Sequence, residues 1–336
     1  MHQARFWESL PDGKVRCNLC RFHCVVAVGQ RGRCGVRENR EGVLFSLVYG
    51  LSIAEHVDPI EKKPLYHVLP GSRSLSVATV GCNFHCLHCQ NADISQWPRE
   101  HRQISGRPAT PETLVAQALE NRCASISYTY TEPTIFFEYA YDTAVKARGA
   151  GLKNVFVTNG YTSRAALEAI APWLDAANVD LKGFDEQAHR RVTGASLAGV
   201  LDCLRDYRRL GIWIEVTTLV IPGHNDDEAQ LRGIAEFIAG ELGEDVPWHV
   251  SAFFPTYKML DRPPTPVSAL VKARKIGIES GLRYVYLGNV VERGGEDTLC
   301  PGCGEIVLQR GGLRLIASRL EKGRCVTCQY PLPGLF

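Results

Sequence analysis

No stretch of this sequence approaches the ~18 consecutive apolar residues that a membrane-crossing helix needs. Its opening, MHQARFWESLPDGKVRC, lacks the basic segment and apolar run of a secretory leader. Charge of one sign is missing too. Lys and Arg number 38 against 36 Asp and Glu, so a formal net charge of +2 gives no reason to expect a nucleic-acid or membrane surface. There is no long-period repeat and no low-complexity tract. These absences favour a soluble, cytoplasmic globular protein. Its 336 residues suffice for one large domain with one or two small modules.

What the chain does have is cysteine, 13 in all. A chain this long does not need disulfide staples, and clustered cysteines at short spacing in such a context point to metal thiolates. Eleven fall into three groups: 17, 20, 24 and 34; 82, 86 and 89; and 300, 303, 325 and 328. Cys123 and Cys203 stand alone in apolar surroundings and read as small buried hydrophobes.

From residue 74 onward, β-branched or aromatic runs alternate with helical patterns. Strands are expected at 75–80, 124–130, 154–159, 176–182, 212–221, 248–253 and 284–289. TPETLVAQALENR has a Thr cap and Pro in its first turn; SRAALEAIAPWL starts from a Ser cap; LAGVLDCLRDYRRLG closes on arginines and Gly211. Strands alternating with helices imply βαβ units on a parallel sheet that closes, fully or partly, into a barrel. In such folds the chemistry sits on loops leaving the C-terminal ends of the strands. Those loops carry the middle cysteines, Glu132, the TNG at 158–160, the DLKG at 180–183, the IPGHND at 221–226 and the FFPTY at 253–257. Residues 1–72 read as a Cys-rich wrapping segment, 73–290 as the core, and 291–336 as a separate CxxC…CxxC module.

Two CxxC knuckles, Cys300/Cys303 and Cys325/Cys328, fit tetrahedral zinc. Gly302 and Gly304 ease the turn, and a site closed by four thiolates is structural. Cys17, Cys20, Cys24 and Cys34 also offer four thiolates, which suit zinc or an auxiliary iron–sulfur cluster, with His23 a substitute ligand. The middle group, in GCNFHCLHCQN, has three cysteines and no fourth. Zinc completed by His85 or His88 is one reading. The other is a four-iron cubane with one iron open, the kind of position catalysis uses.

Cys-x3-Cys-x2-Cys after the first strand of a (β/α) domain resembles the radical S-adenosylmethionine (SAM) superfamily. The order of later motifs resembles its pyruvate formate-lyase activating-enzyme branch. YTYTEPTIFFEY, VTNGY, NVDLKGF, TLVIPGHND, PWHVSAFFP, YVYLGNV and HVDPIEKKPLYHVLPGS look like the radical SAM member of the AmmeMemoRadiSam system. The resemblance extends over nearly the whole chain. It implies a partial (β/α)6-type barrel in which Cys82, Cys86 and Cys89 ligate three irons of a [4Fe–4S] cluster. The fourth iron would chelate the amino and carboxylate groups of SAM, whose reductive cleavage gives methionine and a 5′-deoxyadenosyl radical. Phe84 and Leu87 would shield the cluster. Glu132 would accept from the methionyl ammonium, although Tyr130 and Thr131 stand where the family motif has two glycines. Asp180 and Lys182 would reach the ribose and carboxylate, with Asn159 and His249 as further contacts. A low-potential donor, flavodoxin or ferredoxin, is implied, and so is a protein or small-molecule substrate. Two rivals stay open: a glycyl-radical activase, and a non-catalytic scaffold with three zinc sites. Against the activase, residues 90–122 contain none of the extra cysteines that many activases insert there.

Overall fold

The computed structural model describes residues 2–336. Its centre is one eight-stranded sheet, in which β1 is Ala54–Pro59, β2 Arg73–Ala78, β3 Ser125–Tyr128 and β4 Lys153–Thr158. β5 is Ala176–Asp180, β6 Trp213–Val220, β7 Trp248–Ala252 and β8 Val285–Gly288. The strands lie side by side in chain order, β1 antiparallel to β2 and every later pair parallel. No pairing joins β8 back to β1 among the described residues, so the barrel is open.

Helices fill the crossovers. They are α1 (Pro111–Glu120), α2 (Phe137–Gly149), α3 (Arg164–Ile170), α4 (Glu186–Thr193), α5 (Leu197–Arg209), α6 (Glu228–Phe237) and α7 (Val267–Glu279). Six βα units therefore lead to a seventh parallel strand, a partial (β/α)6-type barrel. Both expected caps are in place, Thr110 accepting from Thr113 N and Ser163 from Ala166 N, and Ser196 adds a third by accepting from Gly199 N.

The two faces of the sheet differ chemically because strand side chains alternate. One face presents Leu75, Val77, Ile126, Tyr128, Phe156, Val179, Val216 and Trp248, all buried. It meets the helices, as Asn154 Nδ2 donating to Ala144 O of α2 illustrates. The other face is buried but polar: Ser74, Ser76, Ser125, Ser127, Asn178 and Glu215. Here Ser74 and Ser127 hydroxyls lie 2.6 Å apart, and Asn178 Nδ2 donates to Pro64 O at 2.8 Å.

The segment expected to be irregular wrapping covers that polar face, and it also supplies β1, a strand the sequence did not announce. Glu215 fastens the cover, accepting from Tyr66 N (2.9 Å) and His67 N (2.8 Å). The C-terminal module docks on the same segment. Arg310 donates to Tyr66 O at 2.6 Å with its guanidinium over the Tyr66 ring, and Leu335 exchanges backbone bonds with His67 and Leu69. The N-terminal segment forms two small antiparallel sheets on the opposite flank.

His67 is fully buried and joins core to module. Its ring spans Pro333 O and Tyr286 Oη, each at 2.7 Å, a pair that a neutral imidazole satisfies by donating to one and accepting from the other. Burial lowers its pKa to about 4. Between pH 6.5 and 4 the unfolded chain therefore binds a proton the folded one refuses, and stability falls as pH falls. The expected loss from this group is about 2 kcal/mol between pH 7 and pH 5. Urea midpoints measured across that range in wild type and His67→Gln should differ in slope by about one proton; parallel slopes would contradict the assignment.

Candidate active site

The loop after β2 carries the middle cysteines. Cys82 and Cys86 are buried and Cys89 is half-buried. Gly81 precedes them at φ +100°, and a Cβ there would meet Val36 Cγ1 at 2.6 Å, so the turn needs glycine. The loop is pinned along its length: His85 N donates to Thr193 O (2.8 Å), Leu87 N to Val192 O (3.0 Å) and Lys258 N to Leu87 O (3.0 Å). Arg99 Nη2 bridges Cys82 O and Arg33 O. Phe84 is buried against Tyr161, whereas Leu87 is half-buried and lines a cavity beside the loop.

Residues from successive strand ends converge here. Asn159, after β4, donates through Nδ2 to Asn83 Oδ1 at 2.7 Å and lies 3.7 Å from Cys82 Sγ. At the end of β5, Lys182 Nζ donates to Asp180 Oδ2 at 2.8 Å; this pair is largely sheltered, not a surface pair. Burial opposes the charge on Lys182, but the Asp180 carboxylate, joined by Cys86 and Cys89 when they are thiolates, outweighs it and raises its pKa. His249 shares a row with Asp180 and Thr217 across β5, β6 and β7. Its Nε2 is 2.7 Å from Glu215 Oε2 and its ring packs against those of Tyr66 and Tyr286, so only Nδ1 is uncommitted.

Glu132 is fully buried and largely committed to the chain itself. Oε1 accepts from Thr134 N, Thr134 Oγ1 and Thr158 Oγ1, and Oε2 from Asn159 N. It caps the short helix Pro133–Phe136 and ties the ends of β3 and β4 together, leaving one lone pair on Oε2. Tyr130 adopts φ +64°, a conformation that favours glycine. Its hydroxyl donates to Asp58 and its ring lies under Lys63 Nζ at 4.6 Å, contacts that hold the left-handed turn without a glycine. Burial lowers the Lys63 pKa to about 8.

The donor set fits a bound iron–sulfur group. Burial pushes the Cys86 thiol up to about 12 and Cys82 well above its ordinary value, a penalty on the thiolate that a bound metal cation offsets. Asn83 Nδ2, Asn159 Oδ1, Thr217 Oγ1 and both ring nitrogens of His88 are buried without a protein partner among the described residues, which leaves them available to a bound group. The histidines are neutral: burial lowers His85 to about 3 and His88 far below its usual value. Beside the loop opens a cavity of ≈ 370 Å³, lined by His85, Leu87, Arg99, Arg191, Tyr257 and Lys258 among others. Sequence reasoning missed Asn83, Thr217, Arg99 and Lys258. Only Asn83, adjacent to Cys82, carried a local signal.

The C-terminal knuckles form a different kind of centre. The four sulfurs of Cys300, Cys303, Cys325 and Cys328 lie within 4.8 Å of one another, a set able to hold zinc. A Cβ on Gly302 would sit 3.1 Å from Cys328 Sγ.

Comparison with known proteins agrees with this arrangement. Residues 76–232 match the radical SAM superfamily model. An uncharacterized protein of Methanocaldococcus jannaschii is 46% identical, over 98% of both chains. The pyruvate formate-lyase-activating enzyme of Clostridium pasteurianum is 23% identical, over 64% of this chain and 91% of its own. Among solved structures, a radical SAM methyltransferase from Sphaerobacter thermophilus shares the fold, with TM-score 0.51 and 16% identity over 65% of this chain and 66% of that one. No described helix is long and apolar enough to cross a membrane. With its cysteine loop at the mouth of an open βα barrel and with activating enzymes among its homologues, the chain carries a radical SAM domain, a family whose cofactors are a [4Fe–4S] cluster and SAM.

Proposed function

We propose that this protein abstracts hydrogen from an acidic protein or small-molecule substrate, with Cys82, Cys86 and Cys89 holding the cluster. The observation that carries this reading is the convergence of Asn159 and the Asp180–Lys182 pair on three thiols, two of them buried, at one edge of the sheet. When bound, the cluster and SAM supply a 5′-deoxyadenosyl radical through one-electron cleavage of the sulfonium. The chain's own residues do the rest. Three thiolates leave one iron for the amino and carboxylate groups of SAM. Glu132 would offer its remaining Oε2 lone pair to an N–H of that amino group; Lys182 and Asp180 would meet the carboxylate and ribose; Asn159 and His249 Nδ1 would supply further polar contacts. Leu87 keeps water from the cluster side of the cavity.

Arg99, Arg191 and Lys258 against the single acid Glu100 give the cavity wall a positive field, which favours a substrate bearing an acidic group. Reduction needs a low-potential one-electron donor of the flavodoxin or ferredoxin class. Activation of a glycyl-radical enzyme is the narrower alternative, suggested by the relative that activates pyruvate formate-lyase. It would appear as a protein-borne glycyl signal in a partner.

Anaerobic reconstitution with iron and sulfide, then dithionite and SAM, should yield methionine and 5′-deoxyadenosine in equal amounts. No nucleoside above a reaction without dithionite would end this reading and favour the zinc-scaffold alternative.

A further inference from the structure

We propose that Cys17, Cys20, Cys24 and Cys34 hold a second iron–sulfur cluster, not a zinc ion, and that it shares a wall with the first. The inference relies on the proposed function only for the identity of its neighbour.

The molecule contains its own yardstick. With metal–sulfur bonds of about 2.3 Å, tetrahedral zinc brings its thiolates to about 3.8 Å from one another. The C-terminal knuckles match, with sulfur pairs at 3.5 and 3.7 Å. Among the described residues, no other set of three or more ligating groups gathers within 4.8 Å. Neither the N-terminal four nor Cys82, Cys86 and Cys89 are drawn that close. A cubane seats each thiolate on a different iron and so needs them farther apart.

The N-terminal four nevertheless line one cavity. Backbone pairing fixes its walls: Cys17 N donates to Cys24 O at 2.9 Å, Gly32 N to Arg37 O at 2.8 Å and Gly35 N to Gly32 O at 2.9 Å. The strand Val15–Cys17 is paired on both sides, with Trp7–Ser9 and with Val25–Val26. The spacing is therefore set by strands and turns, which resist collapse onto a single ion. Arg33 and Arg37 also line the cavity, and Arg33, which has no carboxylate partner among the described residues, offsets part of the negative charge of four thiolates.

Asn83 belongs to both centres. It lines the N-terminal cavity, and its Oδ1 lies 3.8 Å from Cys82 Sγ. Arg33 Nε donates to Asn83 O at 3.2 Å, closing the partition. One residue thus separates the two groups of thiols, and a charge or unpaired spin on one cluster is felt at the other.

The test uses the full chain, reconstituted anaerobically with iron and sulfide. The Cys82→Ala/Cys86→Ala/Cys89→Ala variant should keep about four irons, about four sulfides and one zinc per chain, with absorbance near ~400 nm. An iron-free variant carrying about two zinc ions would overturn the proposal. Should that variant fail to fold, Cys20→Ala/Cys24→Ala decides. Its iron should fall from about eight to about four at constant zinc; unchanged iron with one zinc lost would refute the second cluster. In the dithionite-reduced wild type the electron spins of the two clusters should be coupled, and the signal should be simple in either variant. An uncoupled wild-type signal would overturn the shared wall. Failure of the proposed function would look different: no 5′-deoxyadenosine from wild type, with iron still present in the triple variant.

Discussion

Cys86→Ala should abolish 5′-deoxyadenosine formation, remove about four irons per chain and leave the C-terminal zinc in place. Only three thiolates are available at this site, so losing one leaves two irons without a protein ligand. His85 and His88 are not free to take over, because the backbone bonds of His85 and Leu87 fix the loop that carries them. A graded comparison separates ligand from support. Asn159→Ala removes a neighbour of Cys82 Sγ without removing a thiolate, and an outer-shell loss of this kind costs roughly 10–100-fold in activity or metal affinity. Iron, sulfide and zinc analysis beside a product assay distinguishes the two variants. A Cys86→Ala protein with full iron and measurable cleavage would remove this cysteine from the site.

The parallel sheet was legible because its helix-facing residues are β-branched or aromatic at every second position, Ile126 and Tyr128 or Trp248 and Val250. All seven expected strands appear within two or three residues of their predicted ends. β1 was not legible, since AEHVDP has charges and a proline where a strand signal would be apolar. Its inward group, Asp58, pairs with Lys63, Ser76 and Tyr130 across the polar face, and no periodicity rule anticipates such a lining. The same physics hid part of the site. Cysteines at fixed spacing mark themselves, but Thr217 and Asn83 matter through register and through neighbours 76 residues distant, as between Asn83 and Asn159. Glu132 was legible as a site residue, yet its four bonds to the chain make it as much a cap as a ligand.

Glu138→Ala should be the most destabilising single change outside the metal centres, at about 3–5 kcal/mol. Glu138 lies in the first turn of α2, within an apolar stretch, and is almost fully buried. Both carboxylate oxygens accept from Arg37 at 3.0 Å, and Arg5 N adds a further bond at 2.6 Å. Burial alone would favour a neutral Arg37; the Glu138 carboxylate overrides that and raises its pKa. Alanine at 138 would leave a guanidinium buried without a counter-charge, and Arg37 Nε already lacks a partner. The damage would extend beyond the pair. Arg37 follows Cys34 by three residues and opens the strand Arg37–Arg40, so its displacement loosens the N-terminal cysteine cradle from the core. Two measurements on the full chain test this: the urea midpoint, and iron bound in the Cys82→Ala/Cys86→Ala/Cys89→Ala background. Both should fall with Glu138→Ala, and adding Arg37→Met should recover much of the midpoint, because an apolar pair of similar volume removes the unpaired charge. A single variant within about 1 kcal/mol of wild type would show that the pair is hydrated and contributes like a surface ion pair.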